Sequence, residues 1–105
     1  MVAEESLSLA DEGDITITYF EKDNSGNVQA PFDYIFDESE DEGKAELQVI
    51  LFTNHPLWRK KVDDSVRRIL ATSDAIYRML VEKLDYDTYK ALMIRNEWLN
   101  KRTEG

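Results

Sequence analysis

The spacing of the apolar residues changes after His55, and this change constrains the fold more than any other feature of the sequence. Before it, apolar and polar residues alternate, as in residues 14–20, and a period of two is typical of half-buried strands. After it, apolar residues recur in steps of three and four over residues 62–84, which is the spacing of one helical stripe. The sequence therefore predicts strands first and helices afterwards.

Three segments of the first half have the pattern of strands. Residues 14–20 and 32–37 alternate, and the turn-forming residues 22–27 between them predict a hairpin. Pro31 precedes the second segment, which favours a position near the sheet edge. Residues 47–52 are almost continuously apolar, and this predicts a central strand with helices packed on it.

The second half predicts two or three helices. Residues 56–84 form either one long helix or two helices that break near Ser73, and Asp87 is suited to cap a last helix. The expected fold is α+β: a three-stranded antiparallel sheet followed by two or three helices packed on one face. Residues 1–13 lack a period and predict a flexible N-terminal arm, which leaves residues 14–105 as a single α+β domain.

Length and composition limit the class of protein. The 105 residues are 42% hydrophobic, enough for one core, and they include no cysteine, which excludes disulfides and thiolate chemistry. No basic segment followed by a long apolar stretch is present, so we expect neither a secretory signal nor a membrane span, and we predict a cytoplasmic location.

The net charge of −9 is distributed unevenly along the chain. Through Glu46 there are fourteen acidic residues and two lysines, whereas from Leu47 onward there are eight acidic and eleven basic residues. Such a split predicts either oriented electrostatic association or pairing between the two halves. Direct binding to nucleic acid is not expected of a chain with this net charge.

The acidic run 37–42 admits three interpretations. It lacks the ordered spacing of a calcium-binding loop, so a solvated loop is favoured over a specific metal site. Alternatively, these carboxylates imitate nucleic-acid phosphates and occupy the basic groove of a DNA- or RNA-binding enzyme, as small acidic inhibitors of the viral or mobile-element type do.

Catalysis is not expected from this sequence. His55 is the single histidine, no nucleophile stands in a recognisable context, and no glycine-rich loop precedes a helix. A capping or loop-fixing role for His55 is favoured over a catalytic one, and no cofactor is predicted.

The remaining hypothesis is a small acidic, non-enzymatic protein–protein interaction module, with self-association as one form of it; the acidic inhibitor is the alternative. The expected partner is another protein, either a second copy or a basic nucleic-acid-binding enzyme, and neither nucleic acid nor a membrane. Exposed aromatic residues are typical of protein interfaces, and the acidic run would face a basic partner. The predicted partner-binding residues are Asp37, Glu38, Glu40, Asp41, Glu42, Trp58, Arg59 and Trp98.

One short motif suggests a family. Residues 49–58, with the sequence VILFTNHPLW, and the helical segment that follows resemble the C-terminal part of histidine-kinase-like, Hsp90-type ATPase-domain proteins, over about residues 45–84. The nucleotide-contacting asparagine and the glycine-containing loops of that family have no counterpart here. The resemblance therefore implies a detached protein-contact module without ATP binding.

Overall fold

The computed structural model describes residues 3–9, 13–23, 30–38, 45–59 and 63–103, which form an α+β fold. Its strands are β1 (Ala3–Leu9), β2 (Gly13–Lys22), β3 (Phe32–Glu38) and β4 (Ala45–Phe52). A 3-10 turn (Pro56–Arg59) follows β4, and two α-helices complete the described chain: α1 (Asp64–Glu82) and α2 (Thr88–Thr103).

The four strands form one mixed sheet in the order β1-β2-β4-β3. Strand β1 is antiparallel to β2, and β3 is antiparallel to β4. The central pair, β2 and β4, is parallel, and its register places Ile17 opposite Leu47 and Tyr19 opposite Val49. After β2 the chain therefore passes the position of β4, forms the edge strand β3, and returns to fill the gap.

The prediction of a three-stranded antiparallel sheet is wrong in three respects, and the first is that the central pair, β2 and β4, is parallel, so the sheet is mixed. A fourth strand, β1, lies within the segment assigned to the N-terminal arm, and its only large apolar side chains are Leu7 and Leu9. The predicted hairpin between residues 14–20 and 32–37 does not form, because β4 separates the two strands. The physical reason is the apolar character of β4, which is buried best between two neighbouring strands.

Other predictions are confirmed. Residues 47–52 lie in an interior strand, and the helices pack on one face of the sheet. Helix α1 continues through Ser73, whose Oγ donates to the carbonyl oxygen of Leu70 at 3.0 Å and so is satisfied within the helix. Asp87 caps α2, because its Oδ1 accepts a hydrogen bond of 2.9 Å from the backbone N–H of Lys90.

The core lies between the sheet and α1. Alternate residues of β2 and β4 point to this side, and Leu47, Val49 and Leu51 are 0% exposed. The small side chains of Ala71 and Ala75 on α1 are buried too, which allows the helix to approach the strands closely. Helix α2 lies beside α1 and contributes the buried residues Ala91 and Trp98 to the same cluster.

The opposite face of the sheet carries no helix in the described part of the chain, and we call it the open face. Residues that alternation places there include Glu4, Asp14, Thr16 and Asp37, all of them exposed. The charge split of the sequence becomes a split between layers. The four strands carry eight acidic residues and one lysine, whereas the two α-helices carry four acidic and seven basic residues.

Candidate functional site

A groove of about 480 Å³ lies between the outer edge of β1 and helix α2. Residues 6–9 form its strand side, and residues of α2 together with Tyr86 form its helix side. We call it the β1–α2 groove. It is built from the N-terminal strand and the C-terminal helix, so its two sides come from opposite ends of the described chain.

The floor of the groove is apolar. Leu7 and Leu9 point from β1 into the core, and Ile94 and Trp98 meet them from α2. Leu7, Leu9 and Trp98 are at most 9% exposed, and Ile94 is half-buried. The groove therefore reaches down to the outer surface of the hydrophobic core, where an apolar side chain from a partner would be removed from water.

Glu5 holds α2 beside the edge of the sheet. The indole Nε1–H of Trp98 donates to Glu5 Oε1 at 2.8 Å, and Arg102 forms an ion pair with the same carboxylate. The guanidinium of Arg102 also lies 4.9 Å from the centre of the Trp98 ring. One carboxylate thus joins the N-terminal strand to the last turns of α2, and this contact sets the width of the groove at that end.

Basic side chains form the helix rim. Lys90, Ile94, Glu97 and Lys101 follow one another at steps of four, three and four, so they lie along one stripe of α2. The Lys90 ammonium lies 4.9 Å from the centre of the Tyr86 ring, and Lys101 forms an exposed ion pair of 3.7 Å with Glu97.

The charge of this lining differs from that of the whole chain. Lys90, Lys101 and Arg102 face one lining acid, Glu97, and even when Glu5 is included the cations outnumber the acids by three to two. This positive rim belongs to a chain whose net charge is −9.

The strand rim is a sheet edge. Strand β1 pairs with β2 on one side, and no other strand of the described residues pairs with its second side. Alternate backbone N–H and C=O groups of an edge strand point away from the sheet, where they can bond an incoming strand. Ser6 and Ser8 of this strand are exposed, and the Ser8 hydroxyl donates a hydrogen bond of 2.8 Å to Asp14 Oδ1 of β2.

Arg78 joins α1 to the other edge strand, β3. Its guanidinium lies 4.9 Å from the centre of the Tyr34 ring and within 3.8 Å of Asp33, Asp74 and Glu82. Burial and a hydrogen bond to the Glu82 carboxylate raise the pKa of Tyr34 to about 12, and burial raises the pKa of Asp74. These contacts satisfy one another and position α1 on β3.

His55 has a structural contact. Its Nδ1 accepts a hydrogen bond of 3.0 Å from the backbone N–H of Leu57, which caps the 3-10 turn after β4. Within the described ranges, no group of three or more histidine and acidic residues is arranged to hold a metal ion. Neither described helix is both long enough and apolar enough to cross a membrane.

The two tryptophans predicted to bind a partner lie at opposite edges of the sheet. Trp58 is buried beside Phe32 of β3, and its Nε1–H donates to the carbonyl oxygen of Pro31 at 3.1 Å. Trp98 is buried beside Glu5 of β1. The structure therefore does not bring the two indole rings together on one surface.

The predicted acidic residues are described in part. Asp37 and Glu38 end β3 and are exposed, whereas Glu40, Asp41 and Glu42 lie outside the described residues. Arg59 is the last residue of the 3-10 turn, and the structure describes its backbone alone. Of the four predicted residues whose side chains the structure describes, Trp98 alone lines the β1–α2 groove.

Sequence reasoning missed the rest of the groove, because it missed β1. A signal was present on the helix side, where Lys90, Lys101 and Arg102 are spaced so that they share a side of α2 with Ile94. Without the strand, this pattern indicates no more than a solvated basic helix surface.

The role of Glu5 can be tested by two substitutions of similar size. Glu5→Met leaves the buried indole N–H of Trp98 without its acceptor, which should lower the free energy of unfolding by about 1–3 kcal/mol. Glu5→Gln keeps an acceptor oxygen and loses the ion pair with Arg102, so it should cost less than about 1 kcal/mol. Urea denaturation of both variants provides the comparison. Equal losses would contradict the assigned hydrogen bond.

Comparison with known proteins yields no relative. No protein-family model matches the chain, and neither a curated protein nor a solved structure is significantly similar to it. The resemblance of residues 45–84 to Hsp90-type ATPase domains therefore stays a prediction.

Proposed function

We propose that this protein is a non-enzymatic protein–protein interaction module that binds its partner in the β1–α2 groove. One observation carries the proposal: a strand edge with which no other described strand pairs lies directly beside an apolar floor and a helix with a basic rim. These are the components that peptide-binding domains use when they add a strand of the partner to their own sheet.

Each component supplies a different part of the binding energy. The outward N–H and C=O groups of β1 offer hydrogen bonds to any extended backbone, so they give affinity with little sequence preference. The floor around Leu7, Leu9 and Ile94 favours an apolar side chain of the partner. The basic helix rim favours acidic side chains over basic ones. A partner is therefore held by its backbone and selected by its side chains.

Self-association is an alternative to binding in the groove, and it would use a different surface. Tyr89 and Met93 are 72% and 56% exposed and are four residues apart on α2, and Val66 and Leu70 form a similar exposed pair on α1. The exposed acids Asp37 and Glu38 of β3 oppose pairing of that edge with the same edge of a second copy, because charges at edge strands oppose edge-to-edge contact. A second copy is thus expected to bind through the helices.

The proposal predicts a binding loss that is confined to the groove. The immobilised protein and two variants, Ile94→Glu and Met93→Glu, are compared for the proteins that they capture from an extract of the native cells. Ile94 lines the groove, whereas Met93 is exposed and does not line it. Partners should be retained by the wild type and by Met93→Glu, and reduced at least tenfold on Ile94→Glu, because a carboxylate on the floor stays hydrated and excludes an apolar side chain.

Circular dichroism should confirm that both variants fold. The double substitution Lys90→Glu with Lys101→Glu provides a second groove variant, which changes the rim and leaves the apolar floor intact. Binding that survives both groove variants, or that disappears with Met93→Glu alone, would contradict the proposal.

A second candidate function is supported by the open face. Alternation places Glu4, Asp14, Asp37 and Glu46 there, with Lys22 as the one cation among the described residues of that face. Asp37 and Glu46 stand directly opposite each other in neighbouring strands, an arrangement of like charges that costs stability. Such a negative face fits the acidic inhibitor that occupies the basic groove of a nucleic-acid enzyme.

Competition with DNA separates the two functions. If the open face imitates phosphates, captured partners are nucleic-acid enzymes that duplex DNA releases, and Asp14→Asn with Asp37→Asn weakens their capture at low salt. If the groove binds the partner, DNA releases nothing and the same double variant captures the partner as the wild type does. If DNA releases the captured partner and Ile94→Glu does not weaken its capture, the open face is the binding site and the groove is not.

A further inference from the structure

We propose that the β1–α2 groove selects an extended segment of a partner protein in which one apolar residue lies between two acidic residues, each two positions away from it. This inference rests on the proposed function, because it names the chemistry that the same groove recognises. It follows from the length of the groove, the order of its side chains and their charges.

The length of the helix rim sets how many residues of the partner segment can contact the groove. Lys90 and Lys101 mark the two ends of the basic stripe, and at a rise of about 1.5 Å per residue the helix separates them by about 16 Å. An extended chain advances about 3.3 Å per residue, so the groove accommodates about five residues. Three of these five, at alternate positions, direct their side chains to the same face and therefore into the groove.

The order of the lining residues sets the chemistry at each of these three positions. Lys90 lies at one end and Lys101 at the other, so each outer side chain of the bound segment meets a cation. The middle position faces Ile94 and Trp98 on the floor, and Glu97 stands between the two cations on the rim. An acidic side chain would be repelled by Glu97 at this position, whereas an apolar side chain would cover the floor.

The ion pairs at the Lys101 end of the groove do not block this mode of binding. Arg102 is engaged by Glu5 and keeps α2 in place, so the cation that meets the bound segment at this end is Lys101. Lys101 and its present partner Glu97 are 68% and 72% exposed, and an ion pair at such exposure contributes little stability. A carboxylate of the partner, partly shielded from water in the groove, can therefore take its place at small cost.

The net charge of −9 does not overrule the local attraction. At physiological salt the Debye length is about 8 Å, so carboxylates on the far side of the sheet are largely screened from the groove. Contacts within about 4 Å of Lys90 and Lys101 are screened much less. We therefore expect partner carboxylates to be attracted to Lys90 and Lys101 at physiological salt. Substitution of the acids of the open face should not be needed for this attraction.

The chain itself contains this pattern on β3, where Asp33, Ile35 and Asp37 occupy alternate positions and Ile35 is 50% exposed. We assign the groove to another protein because Asp33 lies 3.8 Å from Arg78 of its own chain. In addition, pairing of β1 with β3 of a second copy is a head-to-tail contact, which would produce rings or open polymers and not a closed two-copy interface.

Three labelled synthetic peptides test the inference by fluorescence polarisation at physiological salt. The first contains the core Glu-Thr-Ile-Thr-Glu, the second replaces both acids by lysine, and the third replaces the isoleucine by serine. We expect the first peptide to bind at least tenfold more tightly than either of the others. The double variant Lys90→Glu with Lys101→Glu should weaken the first peptide about tenfold and bind the lysine peptide more tightly than the wild type does.

A charge-matched control uses Arg68→Glu with Lys83→Glu, two basic residues that do not line the groove. This variant makes the same change in net charge and should bind the first peptide as the wild type does. An equal loss in this control would show that net charge, not the rim, governs binding, and would overturn the inference.

The outcomes also separate this inference from the proposed function. If none of the peptides binds while partner capture still depends on Ile94, the sequence rule is wrong and the interaction module stands. If neither peptide binding nor partner capture depends on the groove, both the inference and the proposed function are wrong. Concentration-dependent polymers that Ile35→Asp abolishes, measured by sedimentation velocity, would overturn the assignment to another protein.

Discussion

The rest of the structure depends on one constraint, the burial of strand β4 between two neighbouring strands. Leu47, Val49 and Leu51 are fully removed from solvent, which requires strands on both flanks and a helix on top. The chain meets this requirement by placing β4 between β2 and β3, with α1 above it. Since α1 occupies the centre, α2 is displaced toward β1, and the space between that helix and the sheet edge becomes the groove.

The same arrangement explains how an exposed strand edge is tolerated. Strand β1 is a potential template for uncontrolled pairing, and it carries an inward-pointing charge, Glu5, of the kind that protects natural edge strands. Here the charge is compensated by Trp98 and Arg102 of α2, so it serves the fold as well as protecting the edge. This edge, beside a helix with a basic rim, is therefore open to selected segments of a partner.

Much of the fold could be predicted from local patterns, and the groove could not. The continuous apolar run of β4 and the helical stripe of α1 have periods that can be recognised in the sequence, and Asp87 caps α2 as its position indicated. Strand β1 offers little such signal, because its core side presents Leu7 and Leu9 beside the charged Glu5. The acceptor role of Glu5 depends on Trp98, which is 93 positions away, and parallel pairing of β2 with β4 is equally non-local. Trp98 lines the groove, but as a buried part of its floor.

Amide hydrogen exchange with a bound partner tests the central claim most directly, since it reports on the backbone of β1 itself. In the unbound protein, the outward-facing amides among residues 6–9 should exchange much faster than the amides of β4, which are bonded between two strands. When the partner is bound, those outward amides should slow markedly while the open face is unchanged. Protection that appears around Asp37 and Glu38 or near Tyr89 and Met93, with residues 6–9 still exchanging rapidly, would contradict the account.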